Sequence, residues 1–275
     1  MSGQILGDRY EVQQQLGKKA GRWTLLAQDL MTNALVILKL LFIDENMEAD
    51  DLRLFKREVE ALQTLSHPCT PRYLGYFEIN LPNGGKALAL IQSYISGKSL
   101  QSYLNEQNLL TEVEAVQIAG AALDILHYLH QQDPPIVHRD IIPSNLMLAE
   151  NAAHRTTQVC LVDFGSVKSL APTDGNTFSL VGTEGYMPPE QIGRRAVTAS
   201  DLYSLGVTLL VGITGVAPAN LPRRGFRVDL TQFPQLSPAM ATWLKTLIEP
   251  ELTHRFRSAQ LAQIALAELA IAGSR

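Results

Sequence analysis

Apolar and polar residues alternate in three stretches near the start of the chain, Tyr10–Leu16, Trp23–Ala27 and Ala34–Leu41, each bounded by glycine or polar turn residues. A period of two predicts strands. The rhythm then lengthens: between Asp50 and Leu65 the residues Leu54, Phe55, Val59, Leu62 and Leu65 recur at mostly helical spacing. The helix they predict stops before His67-Pro68, because the residue ahead of a proline is driven out of the helical region. The apolar run Leu88–Leu100 predicts a further strand with a turn at Ser96-Gly97, the expected boundary between two lobes. From Thr111 the character changes to long helices. Thr111 and Glu114 have the spacing of a capping box, and Val113, Ile118, Ala122, Ile125, Leu126 and Leu129 supply an apolar stripe for a helix reaching His130. Asn145–Leu148 and Val159–Val162 read as two short strands joined by the polar stretch Ala149–Gln158, and helices return from Ser200 to the end. Strands first, then helices with a small hairpin among them, predict an α+β fold in two lobes.

Composition narrows the class. With 275 residues, 46% hydrophobic and 18% charged, the chain can bury a sizeable core and belongs with soluble globular proteins. Its net charge of −4 offers no basic excess for nucleic acid or an anionic membrane surface, so neither partner is expected. Cys69 and Cys160 are the only cysteines, too few for a disulfide framework or a metal cluster, and Cys160 sits in an apolar run that predicts a buried, inert thiol. A reducing, cytoplasmic setting is the expectation. The N-terminal stretch lacks a basic segment followed by an apolar core, and no apolar run approaches the ~18 residues of a membrane span, so neither signal peptide nor membrane segment is expected.

The chemistry concentrates in His138-Arg139-Asp140-Ile141-Ile142-Pro143-Ser144-Asn145 and, after the second short strand, Asp163-Phe164-Gly165. Transfer of a phosphoryl group from Mg·ATP needs hard oxygen ligands for the metal and an acceptor close to the incoming hydroxyl. Here the chain resembles the protein-kinase family, and specifically the eukaryotic-like serine/threonine kinases of bacteria, cyanobacteria among them. The resemblance implies a single kinase domain over 1–275, with a small strand-rich N-lobe at about 1–95, a larger helical C-lobe at about 96–275, and Mg·ATP held in a cleft between them. It implies that Asp140 orients the substrate hydroxyl and accepts its proton, that Asn145 binds one Mg2+ (or Mn2+), and that Asp163 binds the bridging metal ions. Lys39, closing Val36-Ile37-Leu38-Lys39, falls where the family's lysine grips the α- and β-phosphates, with Glu58 of the next helix as its ion-pair partner. Gln92-Ser93-Tyr94-Ile95 matches the hinge, where main-chain groups of Ser93 and Ile95 would bond adenine and Gln92 would be the gatekeeper. Gly182-Thr183-Glu184-Gly185-Tyr186-Met187-Pro188-Pro189-Glu190 resembles the segment closing the activation loop. There Glu190 would pair with Arg255, Asp201 would support the catalytic loop, and the Thr183 hydroxyl would reach Asp140, favouring a Ser/Thr acceptor. Arg139 is expected to meet a phosphate on the activation loop, with Thr173, Thr177 and Ser179 as the hydroxyl candidates.

Two departures from the family pattern bear on activity. Laid without gaps on G-x-G-x-x-G-x-V, the stretch from Leu16 keeps only Gly17; Lys19 and Arg22 stand on the other two glycines, Thr24 on the valine, and Gly21 is one place out. Leu16 and Gly17 are still expected to cover the nucleotide, and the side chains of Lys18, Lys19 and Arg22 either meet phosphates or point into solvent. The second departure is Ile142, where Ser/Thr kinases carry a lysine aimed at the transferring phosphoryl group. Loss of such a donor costs on the order of 10²–10³ in turnover.

Three readings follow. The leading one is an ATP-dependent kinase phosphorylating Ser/Thr of protein substrates with reduced turnover, since Lys39, Glu58, Asp140, Asn145 and Asp163 are all present. The second is a pseudokinase that binds ATP or a protein partner and transfers little phosphate, favoured by Lys19, Arg22 and Ile142. A small-molecule kinase of the aminoglycoside-phosphotransferase kind is the third, opposed by the Gly-Thr-x-Gly-Tyr and Pro-Pro-Glu segments, which suit peptide docking.

Overall fold

The computed structural model describes residues 2–19, 21–43, 47–80, 84–151, 156–170 and 181–272. The chain divides into two compact units, Met1–Ser96 and Gly97–Arg275.

The first unit is an antiparallel sheet with one helix. Its strands are β1 (Ile5–Leu6), β2 (Tyr10–Lys19), β3 (Arg22–Asp29), β4 (Leu35–Ile43), β5 (Tyr73–Asn80) and β6 (Lys86–Ser93), with α1 (Ala49–Thr64) between β4 and β5. The order across the sheet is β1-β2-β3-β4-β6-β5. Because strand side chains alternate between faces, β4 sends Val36, Leu38 and Leu40 into a core with Leu25, Ala27, Ala89, Ile91, Tyr10 and Val12. Ile37, Lys39 and Leu41 therefore project to the other face. Cross-strand partners share a face, so Arg22 and Thr24 of β3, opposite Leu41 and Lys39, and Leu90 and Gln92 of β6, opposite Lys39 and Ile37, lie there too. That is the face α1 covers, with the Phe55 ring 6.0 Å from that of Tyr76, which lies opposite Leu90.

Strands β2 and β3 are joined at Gly21, whose φ of +67° is open to glycine at little steric cost. The register slips between Gln15 and Gly17, a bulge that sets Gly17 opposite Thr24. Residues Asp50–Leu65 were expected to be helical and Ala49–Thr64 are, whereas the apolar run Leu88–Leu100 is not one strand. Strand β6 stops at Ser93, and Tyr94 and Ile95 continue as irregular backbone. Apolar character alone does not distinguish them.

The second unit is mostly helical. It contains β7 (Lys98–Ser99), α2 (Leu100–Asn105), α3 (Glu112–His130), β8 (Ile136–Val137), β9 (Leu146–Asn151), β10 (Thr156–Leu161), β11 (Lys168–Ser169), α4 (Pro189–Ile192), α5 (Thr198–Thr214), β12 (Arg223–Arg224), β13 (Arg227–Val228), α6 (Pro238–Leu247) and α7 (Ala259–Ala272). Strand β9 pairs with β7 and β10, β8 with β11, and β12 with β13. The capping box opening α3 is present: the Glu114 amide donates to Thr111 Oγ1 at 3.2 Å and the Thr111 amide to Glu114 Oε2 at 2.8 Å. The Thr111 N–H, and the Thr111 hydroxyl donating to the same oxygen at 2.8 Å, hold the Glu114 carboxyl below its usual pKa. Val113, expected on the apolar stripe, is 67% exposed because it lies four residues before the exposed Gln117, on the solvent face. Helix α5 is buried almost all round, the sign of a central helix, and the Trp243 indole ties α6 to α7 by donating to the Ala262 carbonyl at 3.0 Å. Cys69 and Cys160 are both buried.

Candidate active site

The site residues of the second unit are built on α5. Asp201, in the helix's first turn and without exposure, accepts the backbone N–H of His138 at 2.9 Å and of Arg139 at 2.7 Å, and His130 Nε2 lies 2.9 Å from the same carboxylate. About two turns further along α5, Thr208 Oγ1 donates to the Ile141 carbonyl at 2.8 Å. The loop 138–142 is thus held by main-chain groups, which frees its side chains for other work. Arg139 has φ +68° and Asp163 φ +64°, left-handed values that a non-glycine residue keeps only where its surroundings fix it.

Asp140 is the convergence point. Its Oδ1 accepts the Thr183 hydroxyl at 2.8 Å, and Asn145 Nδ2 donates to the Asp140 carbonyl at 2.9 Å and to Oδ2 at 3.2 Å. Asn145 is set by the single 3-10 turn Pro143–Asn145, with its amide hydrogens turned toward Asp140 and its carbonyl oxygen as the remaining acceptor. Asp163 follows β10 and accepts the Gly165 N–H at 3.3 Å, while Phe164 is fully buried against the His138 ring, centroids 5.0 Å apart. Burial pushes the His138 imidazole below its usual pKa, so this ring is neutral packing beside the carboxylates. Ile142 is half-buried and adds no cation to the group.

The closing segment is tied down as the pattern suggested. Arg255 Nη1 donates to Glu190 Oε1 at 2.6 Å and Nη2 to Oε2 at 3.2 Å; the guanidinium also bonds the carbonyls of Glu249, Ala199 and Pro250 and lies 5.1 Å over the Tyr203 ring. Ser200 Oγ adds a bond to Glu190 at 2.8 Å. Sequence reading did not single out Gln191. Buried to 3% exposure, its Nε2 donates to the Arg139 carbonyl at 2.7 Å and the Val181 carbonyl at 2.8 Å, joining the closing segment to the loop 138–142. Gly182 beside it has φ +125°, and a Cβ there would lie 2.5 Å from Gln191 Nε2. The Arg139 guanidinium donates to the carbonyls of Ser166 and Val167. Thr173, Thr177 and Ser179, the expected phosphate carriers, lie outside the described residues.

In the first unit, Lys39 Nζ and Glu58 Oε1 form an ion pair, their side chains 13% and 5% exposed. Gln92 is buried on the same sheet face, and its Oε1 has no hydrogen-bond partner among the described residues. The Ser93 N–H donates to the Arg72 carbonyl at 2.9 Å while the Arg72 N–H donates to Ser93 Oγ at 2.9 Å, fixing the end of β6. Ile95 is half-buried just beyond it, and Leu16 is exposed on β2 beside Gly17. Two of the three charges at this hairpin have partners: Lys18 Nζ sits 5.3 Å from the centre of the Trp23 ring, and Arg22 bonds Asp51 of α1, while Lys19 is exposed. Arg22 thus takes a course the sequence did not suggest, toward α1.

A family model described as the protein kinase domain matches residues 10–263. The chain belongs to the protein kinase domain family. Its α+β fold is the protein-kinase fold, with a strand-rich first unit and a helical second one. Three bacterial relatives are similar along most of the chain. The chain is 32% identical to serine/threonine-protein kinase B of Synechocystis sp. over 229 residues, covering 79% of this chain and 38% of the relative. It is 32% identical to serine/threonine-protein kinase PknA of Nostoc sp. over 273 residues, 94% of this chain and 46% of the relative. Against serine/threonine-protein kinase PknB of Mycolicibacterium smegmatis the identity is 32% over 219 residues, 78% of this chain and 34% of the relative. The chain spans less than half the length of these three relatives. Among the described residues no helix is long and apolar enough to cross a membrane.

Proposed function

We propose that this domain transfers the γ-phosphoryl group of ATP to serine or threonine hydroxyls of protein substrates. The observation that carries the reading is the Asp140 carboxylate, fixed at one oxygen by Thr183 and at the other by Asn145. A carboxylate so oriented suits an acceptor that takes the proton of an incoming hydroxyl, and the threonine beside it favours a Ser/Thr acceptor over tyrosine. Ser93 and Ile95 offer main-chain groups for adenine, Leu16 and Gly17 cover the nucleotide, and Lys39, held by Glu58, binds the α- and β-phosphates.

The donor set fits a magnesium or manganese ion. Among the described residues no three His, Cys, Asp or Glu side chains form a metal cage. That agrees with an ion held by one or two protein oxygens and otherwise by phosphates and water. Asn145, through its carbonyl oxygen, and Asp163 would hold it, and it would supply charge neutralisation on the phosphates. The protein's own contribution is to position Asp140, to keep His138 neutral, and to hold the closing segment through Glu190 and Arg255. A cytoplasmic setting and a protein partner with a Ser/Thr acceptor belong to the same proposal.

Ile142 favours a second reading, nucleotide binding with little transfer, because it leaves the transferring group without the family's lysine. Labelled ATP with Mg2+ or Mn2+ and a generic protein substrate, beside Asp140→Ala, tests both. Transfer that falls on the order of 10²–10⁴-fold in Asp140→Ala supports the kinase. Nucleotide binding with no transfer in the unaltered protein supports the second reading, and equal transfer by both proteins overturns the assignment of Asp140.

A further inference from the structure

Arg22 stands where the family's loop pattern has a glycine, yet its side chain lies on the sheet face that carries Lys39, opposite Leu41 of β4. From there Nη2 donates to Asp51 Oδ1 at 2.7 Å and to the Asp51 carbonyl at 3.0 Å, while Nε is buried without a partner among the described residues. An ordinary surface ion pair links two mobile side chains and contributes little. This one also grips the backbone of α1, and the side chains are only 28% and 36% exposed.

The grip falls where the helix has least else to hold it. The buried residues of α1 are Phe55, Glu58, Val59, Ala61 and Leu62; none of residues 49–54 is buried. Packing therefore anchors the C-terminal part of the helix, and its first turns have no apolar contact of comparable depth. Glu58 lies about two turns beyond Asp51 and less than one turn inside the anchored part, which begins at Phe55, so a displacement of the helix start is passed through Phe55 to the carboxylate that holds Lys39. We infer that Arg22 is a positioning residue, latching β3 to the first turns of α1 and so keeping Glu58 on Lys39. The position that departs from the glycine pattern then has a mechanical use in place of a phosphate contact. The effect on turnover rests on the kinase reading proposed above; the effect on α1 does not.

The test compares the unaltered protein with Arg22→Met, which keeps the stem and removes the guanidinium, and with Arg22→Lys, which restores a donor. Amide hydrogen exchange over residues 49–58 is read without nucleotide, and kcat and KM for ATP are read separately. Expected for Arg22→Met is roughly tenfold faster exchange in the first turns of α1 and a three- to tenfold lower kcat/KM for ATP, with Arg22→Lys recovering most of both. Unchanged exchange in Arg22→Met overturns the inference. Raised KM for ATP with unchanged exchange overturns it too, in favour of direct phosphate contact. If the unaltered protein transfers no phosphate, the kinase reading fails while the exchange result alone still decides the latch.

Discussion

The two units hold their site residues in different ways. In the second, Asp140, Arg139 and Glu190 are each fixed by several bonds, from the half-buried Thr183 and from the buried Asp201, Asn145, Gln191 and an Arg255 whose side chain has no exposure. In the first, Lys39 is met by Glu58 from a helix whose first turns bury nothing and are tied to the sheet through the part-exposed Arg22 and Asp51. Bonds inside a dry interior are stronger and more interdependent than bonds at a wet surface, so one unit is a fixed frame and the other has room to adjust. On the proposed kinase reading, the acceptor side of the reaction is preset and the phosphate side is tuned.

The largest effect that could break this contrast is on Arg255. Arg255→Met leaves the Glu190 carboxylate in place without its guanidinium, and breaking a buried pair of this kind costs about 3–5 kcal/mol. Urea unfolding should register that loss. A cost no greater than that of Arg22→Met would abolish the distinction between the units. Lys39→Met comes next: loss of a charge-assisted contact of about 1.5–3 kcal/mol corresponds to roughly 10–100-fold in ATP affinity or turnover. Nucleotide titration and single-turnover transfer would read it, and equal binding and equal turnover would remove Lys39 from the site. The smallest effect sharpens the comparison inside the preset unit. Ile142→Lys should raise turnover about tenfold with ATP affinity nearly unchanged, because the added cation matters most as charge develops in the transition state. An unchanged single-turnover rate at saturating Mg·ATP would mean that the missing lysine does not limit the reaction.

What could be read from the sequence depended on how local the determinant was. The runs His138–Asn145 and Asp163–Gly165 are contiguous, so their chemistry was visible without the fold. The strands β2, β3 and β4 showed because one of their faces is deeply apolar, and Thr111 with Glu114 because a cap is a four-residue event. Strand β5 did not show: at the sheet edge its residues are mostly half-buried or exposed, and Ile79 alone is buried, so no period of two survives. Gln191 and Arg22 were beyond reach for another reason. Their partners lie 52 and 29 residues away, and nothing in the neighbouring sequence marks a glutamine that will bridge two carbonyls or an arginine that will hold a helix. Arg22 was even misdirected by its position, since the loop pattern drew attention to phosphates.

Asp201 shows how narrow the chemical choice at a buried node becomes. Three donors, two backbone N–H groups and the His130 ring, converge on its two oxygens from fixed directions. Asparagine has the same shape, yet one of its ends is itself a donor and would face another donor; serine and alanine cannot span the distance at both points. A side chain of this length that accepts at both ends is the aspartate carboxylate alone, so the alphabet available at position 201 has one letter, set by reach and hydrogen-bond polarity together.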